Sequence, residues 1–284
     1  MCIKVVRVLA SDCVFCDFSG VDKSCYLSVS ALICVDNQRK MDARVRKMLR
    51  SSPKCLEFNE LDYVNASNLQ KILSVCTANT TAVMSLRSIT FDRSSFGGKG
   101  VVQLLKALEN SQLETLVIRK DADGLVPADG YLEPIAACLA TGVCNLTQLD
   151  LSYMRLRAGA VTVLQALETS TCGVSSLTLQ GNHLDDACAV AMCESLCRNQ
   201  RLTSLDVSIN AIARKGGVAF GKMLLSSASF LTVLDLSFNY LDISGTRAVL
   251  EGLRDSGPRC VMQHVHLGGN QVPFDQVSST CCRS

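Results

Sequence analysis

The chain has 284 residues, 48% of them hydrophobic, with no tryptophan and a formal net charge of +2. That length and apolar content support a large core and exclude wholesale disorder, and the charge balance gives no ground for a nucleic-acid or membrane-surface role. No apolar run reaches the ~18 residues of a spanning helix, so no membrane span is expected. Lys4, Arg7 and Asp12 break the N-terminal apolar stretch, which argues against a secretory leader. The expected setting is therefore intracellular and cytoplasmic, with the nucleus or cytoskeleton as alternatives, and the 16 cysteines read as reduced thiols that act as small core hydrophobes.

In chain order, residues 1–52 differ in texture from the rest. Cys13 and Cys16 have metal-ligand spacing, with Cys25 and Cys34 behind them. The second pair does not repeat that spacing, and Val14 and Phe15 suit a core strand better than a zinc site. Further on, Met41, Val45, Met48 and Leu49 share one helical face, and Arg39, Lys40, Arg44, Arg46, Lys47 and Arg50 occupy the other. The spacing predicts a basic helix that caps the open apolar end of the region beginning at Pro53. Contact with an acidic partner is the alternative for its charged side.

From Pro53 onward one pattern recurs. NLTQLDLSYMRL, GVSSLTLQGNHL, RLTSLDVSINAI and FLTVLDLSFNYL share their apolar gaps, with first apolar residues Leu146, Val174, Leu202 and Leu231, so the spacing is 28, 28 and 29 residues. A fifth unit starts at Met262, and earlier ones start at Leu113, Leu86 and, more weakly, Pro53. About eight units thus span 53–272, leaving 273–284 as a tail. The second half of each unit reads as a helix. Gly159 with Leu164 and Leu167, Gly216 with Phe220 and Leu224, and Gly245 with Leu250 and Leu253 place a small residue near the start and apolar residues on one face.

Within a unit, Leu205 and Val207 alternate on a short strand and point inward, and Leu202 enters from the preceding turn. The chain then bends, which buries backbone amides and carbonyls between units. An asparagine amide both donates and accepts, so Asn182, Asn210, Asn239 and Asn270 are expected to stack as a ladder that satisfies them. Met154, Asp121, Ser94 and Leu61 hold that position in the earlier units.

This LxxLxLxxNxL pattern resembles the leucine-rich repeat family, and within it the ribonuclease-inhibitor-like class, whose units of about 28 residues carry a full helix. The likeness covers Pro53 to Val272 and is strongest from Leu146 to Asn239. It implies an α/β solenoid curved like a horseshoe, with parallel strands on the concave face and helices on the convex face. Strand spacing of about 4.8 Å against helix spacing of about 8–10 Å supplies the curvature.

Candidate chemistry elsewhere is thin. Asp121, Asp123 and Asp129 in DADGLVPADG echo a calcium loop, but the order of ligands and the closing glutamate are missing, so a solvated turn is expected. The C-terminal Cys281-Cys282-Arg283-Ser284 has the outline of a prenylation box spoiled by Arg283. His264 and His266 should share the concave side and His183 should sit in a turn, all solvated. No phosphate-binding loop is present. Neither cofactor nor metal is expected, and no small-molecule substrate or nucleic acid.

The expected function is a non-enzymatic protein-interaction scaffold, monomeric or part of a larger assembly, that binds a protein on its concave face. The alternative is a GTPase activator, because the Ran GTPase activators share this repeat class; Arg119 and Arg155 lie near strand ends but match no motif of that family. Strand residues unused by the core should line the concave side: Gln148, Asp150, Ser152, Ser176, Thr178, Gln180, Ser204, Asp206, Ser208, Val233, Asp235 and Ser237. Tyr153, Ile209 and Phe238 share the position just before the ladder. With Gln180, Asp206 and Asp235 they form the candidate binding set, an apolar row with a polar surround. The competing reading folds these three side chains over the turn as packing.

Overall fold

The computed structural model describes residues 55–58, 69, 86–92, 100, 103–104, 106, 112–119, 129–141, 145–169, 173–226, 229–257 and 260–271. The expected basic cap, the four N-terminal cysteines, Asp121 and Asp123, and the C-terminal tail lie outside them. Asp129 opens a helix.

Every unit forms its strand two residues after its first apolar residue. The strands are β1 (Cys55–Phe58), β2 (Ser88–Asp92), β3 (Thr115–Arg119), β4 (Gln148–Asp150), β5 (Ser176–Thr178), β6 (Ser204–Asp206), β7 (Val233–Asp235) and β8 (His264–His266). They make one eight-stranded parallel sheet in sequence order. The register keeps equivalent repeat positions side by side: Leu149, Leu177, Leu205, Leu234 and Val265 pair in turn and are all buried. The described helices are α1 (Asp129–Thr141), α2 (Ala160–Thr169), α3 (Asp186–Arg198), α4 (Arg214–Ser226) and α5 (Ile243–Asp255), each packed on the next. This is the expected α/β leucine-rich repeat solenoid. A single core runs its length between the strand and helix layers. None of the described helices is long and apolar enough to cross a membrane.

The asparagine ladder forms where expected, from Asn182 to Asn270. Asn210 is buried, and its Oδ1 accepts from the backbone N–H of Asn182 (2.8 Å) and Leu184 (3.0 Å) in the preceding unit. Its Nδ2 donates to the carbonyls of Leu179 (3.1 Å), Val207 (2.9 Å) and Ser208 (3.0 Å). Asn182, Asn239 and Asn270 repeat the arrangement, each tied to its own unit and the one before. Met154 stands buried at the same position in the first strong unit, where the side chain offers no amide.

The starts of α3, α4 and α5 are capped by carboxylates. Asp185 accepts from Cys188 N (2.9 Å) and Asp242 from Gly245 N (2.8 Å), the usual local N-cap. Helix α4 begins with Arg214 and Lys215, cations at the positive end of the helix dipole. Asp186, in the first turn of α3, compensates from the neighbouring unit. It accepts from Ala213 N and Gly216 N, both at 2.8 Å, and from Lys215 N at 3.2 Å.

The glycines of α4 and α5 serve a purpose beyond a close helix start. Gly217 faces Gly245, where an added methyl would stand 2.8 Å from its α-carbon. A methyl on Gly221 would overlap the Ala248 carbonyl, and one on Gly252 would overlap that of Gly221. The two helices therefore meet backbone to backbone. The cysteines of α3 are free thiols with Cys188 and Cys193 buried and Cys197 half-buried. Burial pushes the Cys193 thiol far above its ordinary value, so it behaves as a core hydrophobe.

Two stability measurements test these contacts. Asn210→Leu leaves several buried backbone groups without partners and should cost roughly 2–4 kcal/mol in a denaturant titration; an unshifted midpoint would mean that the ladder does not hold the turns. Gly221→Ala should destabilise by about 1–3 kcal/mol through overpacking. That opposes the ~1 kcal/mol gain alanine ordinarily brings to a helix, so a raised midpoint would show that α4 and α5 separate freely.

Candidate functional site

The pleat of β4–β8 turns its leucines inward and sets two rows on the other face. Gln148, Ser176, Ser204, Val233 and His264 make the first row; Asp150, Thr178, Asp206, Asp235 and His266 make the second. His264 is exposed, His266 half-buried, and His183 exposed in its turn.

The second row is acidic, and each carboxylate closes its own turn. Asp150 Oδ1 accepts from the N–H (3.0 Å) and hydroxyl (2.5 Å) of Ser152. Asp206 Oδ1 accepts from Ser208 N and Asp235 Oδ1 from Ser237 N, both at 2.8 Å. Arg119 at the end of β3 donates from Nε to Asp150 Oδ2 at 2.7 Å. Among the described residues no basic side chain pairs with Asp206 or Asp235. Burial pushes the Asp206 carboxyl above its ordinary value; the Ser208 hydrogen bonds oppose this, and the charges of Asp235 and Asp150 add to it.

Ser152 and Ser208 do not line the concave side as expected. Both are buried, because the chain has already begun its bend when it reaches them. Gln180, their equivalent in β5's unit, is half-buried or less and donates from Nε2 to Ser208 Oγ at 3.0 Å.

The position before the ladder has a backbone property that strand alternation does not reveal. Tyr153 (φ 61°), Gly181 (67°), Ile209 (53°), Phe238 (53°) and Gly269 (70°) are all left-handed. Each of the first four is pinned by its own N–H, donated to the next unit's carbonyl: Tyr153 to Gln180 (2.8 Å), Gly181 to Ser208 (3.1 Å), Ile209 to Ser237 (3.0 Å) and Phe238 to Gly268 (2.7 Å). Left-handed backbone costs a side-chain-bearing residue roughly 1–2 kcal/mol, and a β-branched residue there is a true outlier. The signal was present in the sequence, since Gly181 and Gly269 share the position with Tyr153, Ile209 and Phe238.

The side chains divide between the two readings. The Tyr153 ring is half-buried and lies on Gly181, where a methyl would overlap it. Burial, then the Asp206 charge, pushes its phenol up, with Arg119 opposing. The Phe238 ring lies on Gly269 yet stays 58% exposed, and Ile209 is 41% exposed. Tyr240, just past the ladder and absent from the sequence-based set, is 55% exposed on the same rim. At the opposite rim Leu225, Phe230 and Val261 are exposed beside a shallow apolar dent lined by Met223, Leu231 and Met262.

Comparison with known proteins agrees with this architecture. A family model described as Leucine Rich repeat matches residues 198–221, the turn from α3 through β6 into α4. The chain is 27% identical over 236 residues to the mouse (Mus musculus) NACHT, LRR and PYD domains-containing protein 12, covering 81% of this chain and 22% of that protein. It is 25% identical over 255 residues to the pig (Sus scrofa) ribonuclease inhibitor, covering 89% of this chain and 54% of the inhibitor. A shorter likeness, 29% over 99 residues, links 34% of the chain to 18% of RAN GTPase-activating protein 2 of Arabidopsis thaliana. The chain thus spans only part of the length of each of these relatives. With its repeating units, sequential parallel sheet and asparagine ladder, the chain has the leucine-rich repeat architecture and is similar to proteins of the ribonuclease-inhibitor-like class.

Proposed function

We propose that this chain is a non-enzymatic, cytoplasmic interaction scaffold that binds a protein partner on its concave face through Tyr153, Gln180, Asp206, Ile209, Asp235 and Phe238. The observation that carries the reading is the exposed apolar pair Ile209 and Phe238, held in left-handed backbone where the neighbouring units use glycine. The fold itself does not need these side chains, since Gly181 and Gly269 make the same turn. Strain kept at an exposed apolar position points to use outside the fold. The hydrogen-bonded turns hold the side chains in place, so docking orders little that is not already ordered. A relative named for inhibiting a ribonuclease, itself a protein, is consistent with this kind of use.

The GTPase-activating alternative rests on the short similarity to a named activator. The Arg119 guanidinium is held by Asp150, which leaves it poorly placed to reach a nucleotide. Stimulated GTP hydrolysis by a small GTPase mixed with the purified chain would favour the alternative.

The test is the double variant Ile209→Asn with Phe238→Asn. Asparagine tolerates the left-handed region better than other side-chain-bearing residues and removes the apolar surface. The variant should melt at or slightly above the parent midpoint, because the change relieves strain of about 1–2 kcal/mol per residue at most. Proteins recovered on the parent in quantitative affinity purification should be depleted at least about tenfold, as expected for loss of an interface hot spot. A variant that keeps every partner would move the binding surface elsewhere. One that melts far earlier would make these side chains part of the turn's packing.

A further inference from the structure

Building on the proposed concave-face binding, we infer that the segment docking there is basic and apolar together, with an arginine or lysine set against Asp206 and Asp235 beside an apolar side chain on Ile209 and Phe238. Asp206 and Asp235 are register partners on adjacent strands, so they stand about 5 Å apart at the backbone. Each uses one oxygen on its own turn and has the other to offer. The acidic row is already neutralised at its other end, where Arg119 occupies Asp150, and Thr178 interrupts it in between. Along the row from β4 to β8, the uncompensated carboxylates among the described residues are thus those of β6 and β7. His266 follows Asp235 in the register without forming an ion pair to it.

The apolar and acidic features belong to the same two units. Ile209 lies three residues after Asp206, and Phe238 three residues after Asp235. A basic side chain combines a cationic head with an aliphatic stem, which suits a surface of carboxylates next to exposed apolar groups. The exposed face of the Phe238 ring adds a cation-binding contribution. Two close carboxylates, one partly desolvated, repel each other until a cation arrives, whereas phosphates of nucleic acid or of an anionic lipid surface would be repelled in turn. Charge complementarity therefore selects a protein segment over either polyanion.

The experiment selects a random twelve-residue phage-displayed peptide library on the immobilised full chain and measures the best peptide by calorimetry. Three proteins are compared: the parent, Asp206→Asn with Asp235→Asn, and Ile209→Asn with Phe238→Asn. The acidic variant keeps its turns, because an asparagine oxygen can accept the same serine N–H. Enriched peptides should pair arginine or lysine with a neighbouring apolar residue, weaken with added salt, and bind each variant at least about tenfold less tightly. Peptides that depend on Ile209 and Phe238 but not on the two aspartates would overturn the basic segment and leave concave-face binding standing. Peptides indifferent to both variants would overturn both. An enriched set without basic residues, or no enrichment at all, would overturn the inference.

Discussion

The structure depends on how it satisfies the backbone polar groups buried between repeats. A stack of parallel strands buries the turn that follows each strand against its neighbours, where water cannot reach the amides and carbonyls. Asn210 answers this by accepting two hydrogen bonds and by sharing its two amide N–H donors among three carbonyls, across two units. The same side chain therefore closes its own turn and docks the unit before it. Because each ladder residue does so, register passes from strand to strand, and equivalent positions line up across β4–β8.

That constraint generates the candidate surface. To aim the ladder residue inward, an asparagine in four units and Met154 in the first, the chain bends at the residue just before it, and the bend takes left-handed backbone in all five units from Tyr153 to Gly269. Glycine would serve at every one of these positions without steric penalty. Three of the five carry large side chains instead, and two of those project into solvent. The ladder's hydrogen bonds and the cross-unit N–H bonds over-determine the turn, so it tolerates residues it would otherwise reject. Rigidity and strain thus have one source, and both mark the same rim.

Much of this was legible in the sequence, because repetition is a long-range signal that single-element propensity lacks. The gaps after Leu146, Val174, Leu202 and Leu231 located four strands, their inward leucines and the ladder. The face of each residue was less legible. Strict alternation predicted Ser152 and Ser208 on the concave side, and they are buried, since alternation lapses where the strand ends and the bend begins. Asp186 reads in sequence as an ordinary first-turn acid, yet it caps the helix of the next unit, a contact that depends on three-dimensional stacking. Gly217, Gly221 and Gly252 likewise show a small residue in the sequence, but not the backbone of the facing helix.

Charge along the concave row shows how far local and global properties diverge. The chain's net charge of +2 says nothing about a field at any one strand. At β4 the structure supplies its own cation, since Arg119 from the neighbouring strand binds Asp150. At β6 and β7 the described residues supply none, and burial raises the Asp206 carboxyl. A carboxyl raised on folding holds its proton more tightly in the folded state than in the unfolded one. Its contribution to stability is therefore present in acid and is lost as pH climbs from the ordinary carboxylate value through the raised one. Once ionised, Asp206 thus weighs against the isolated fold. That cost falls on the unit of β6, which carries the strained, exposed Ile209 and adjoins the unit of Phe238. Two independent departures from what the fold alone would select, one electrostatic and one conformational, coincide on adjacent strands, and a partner offering a cation and an apolar group would relieve the first and use the second.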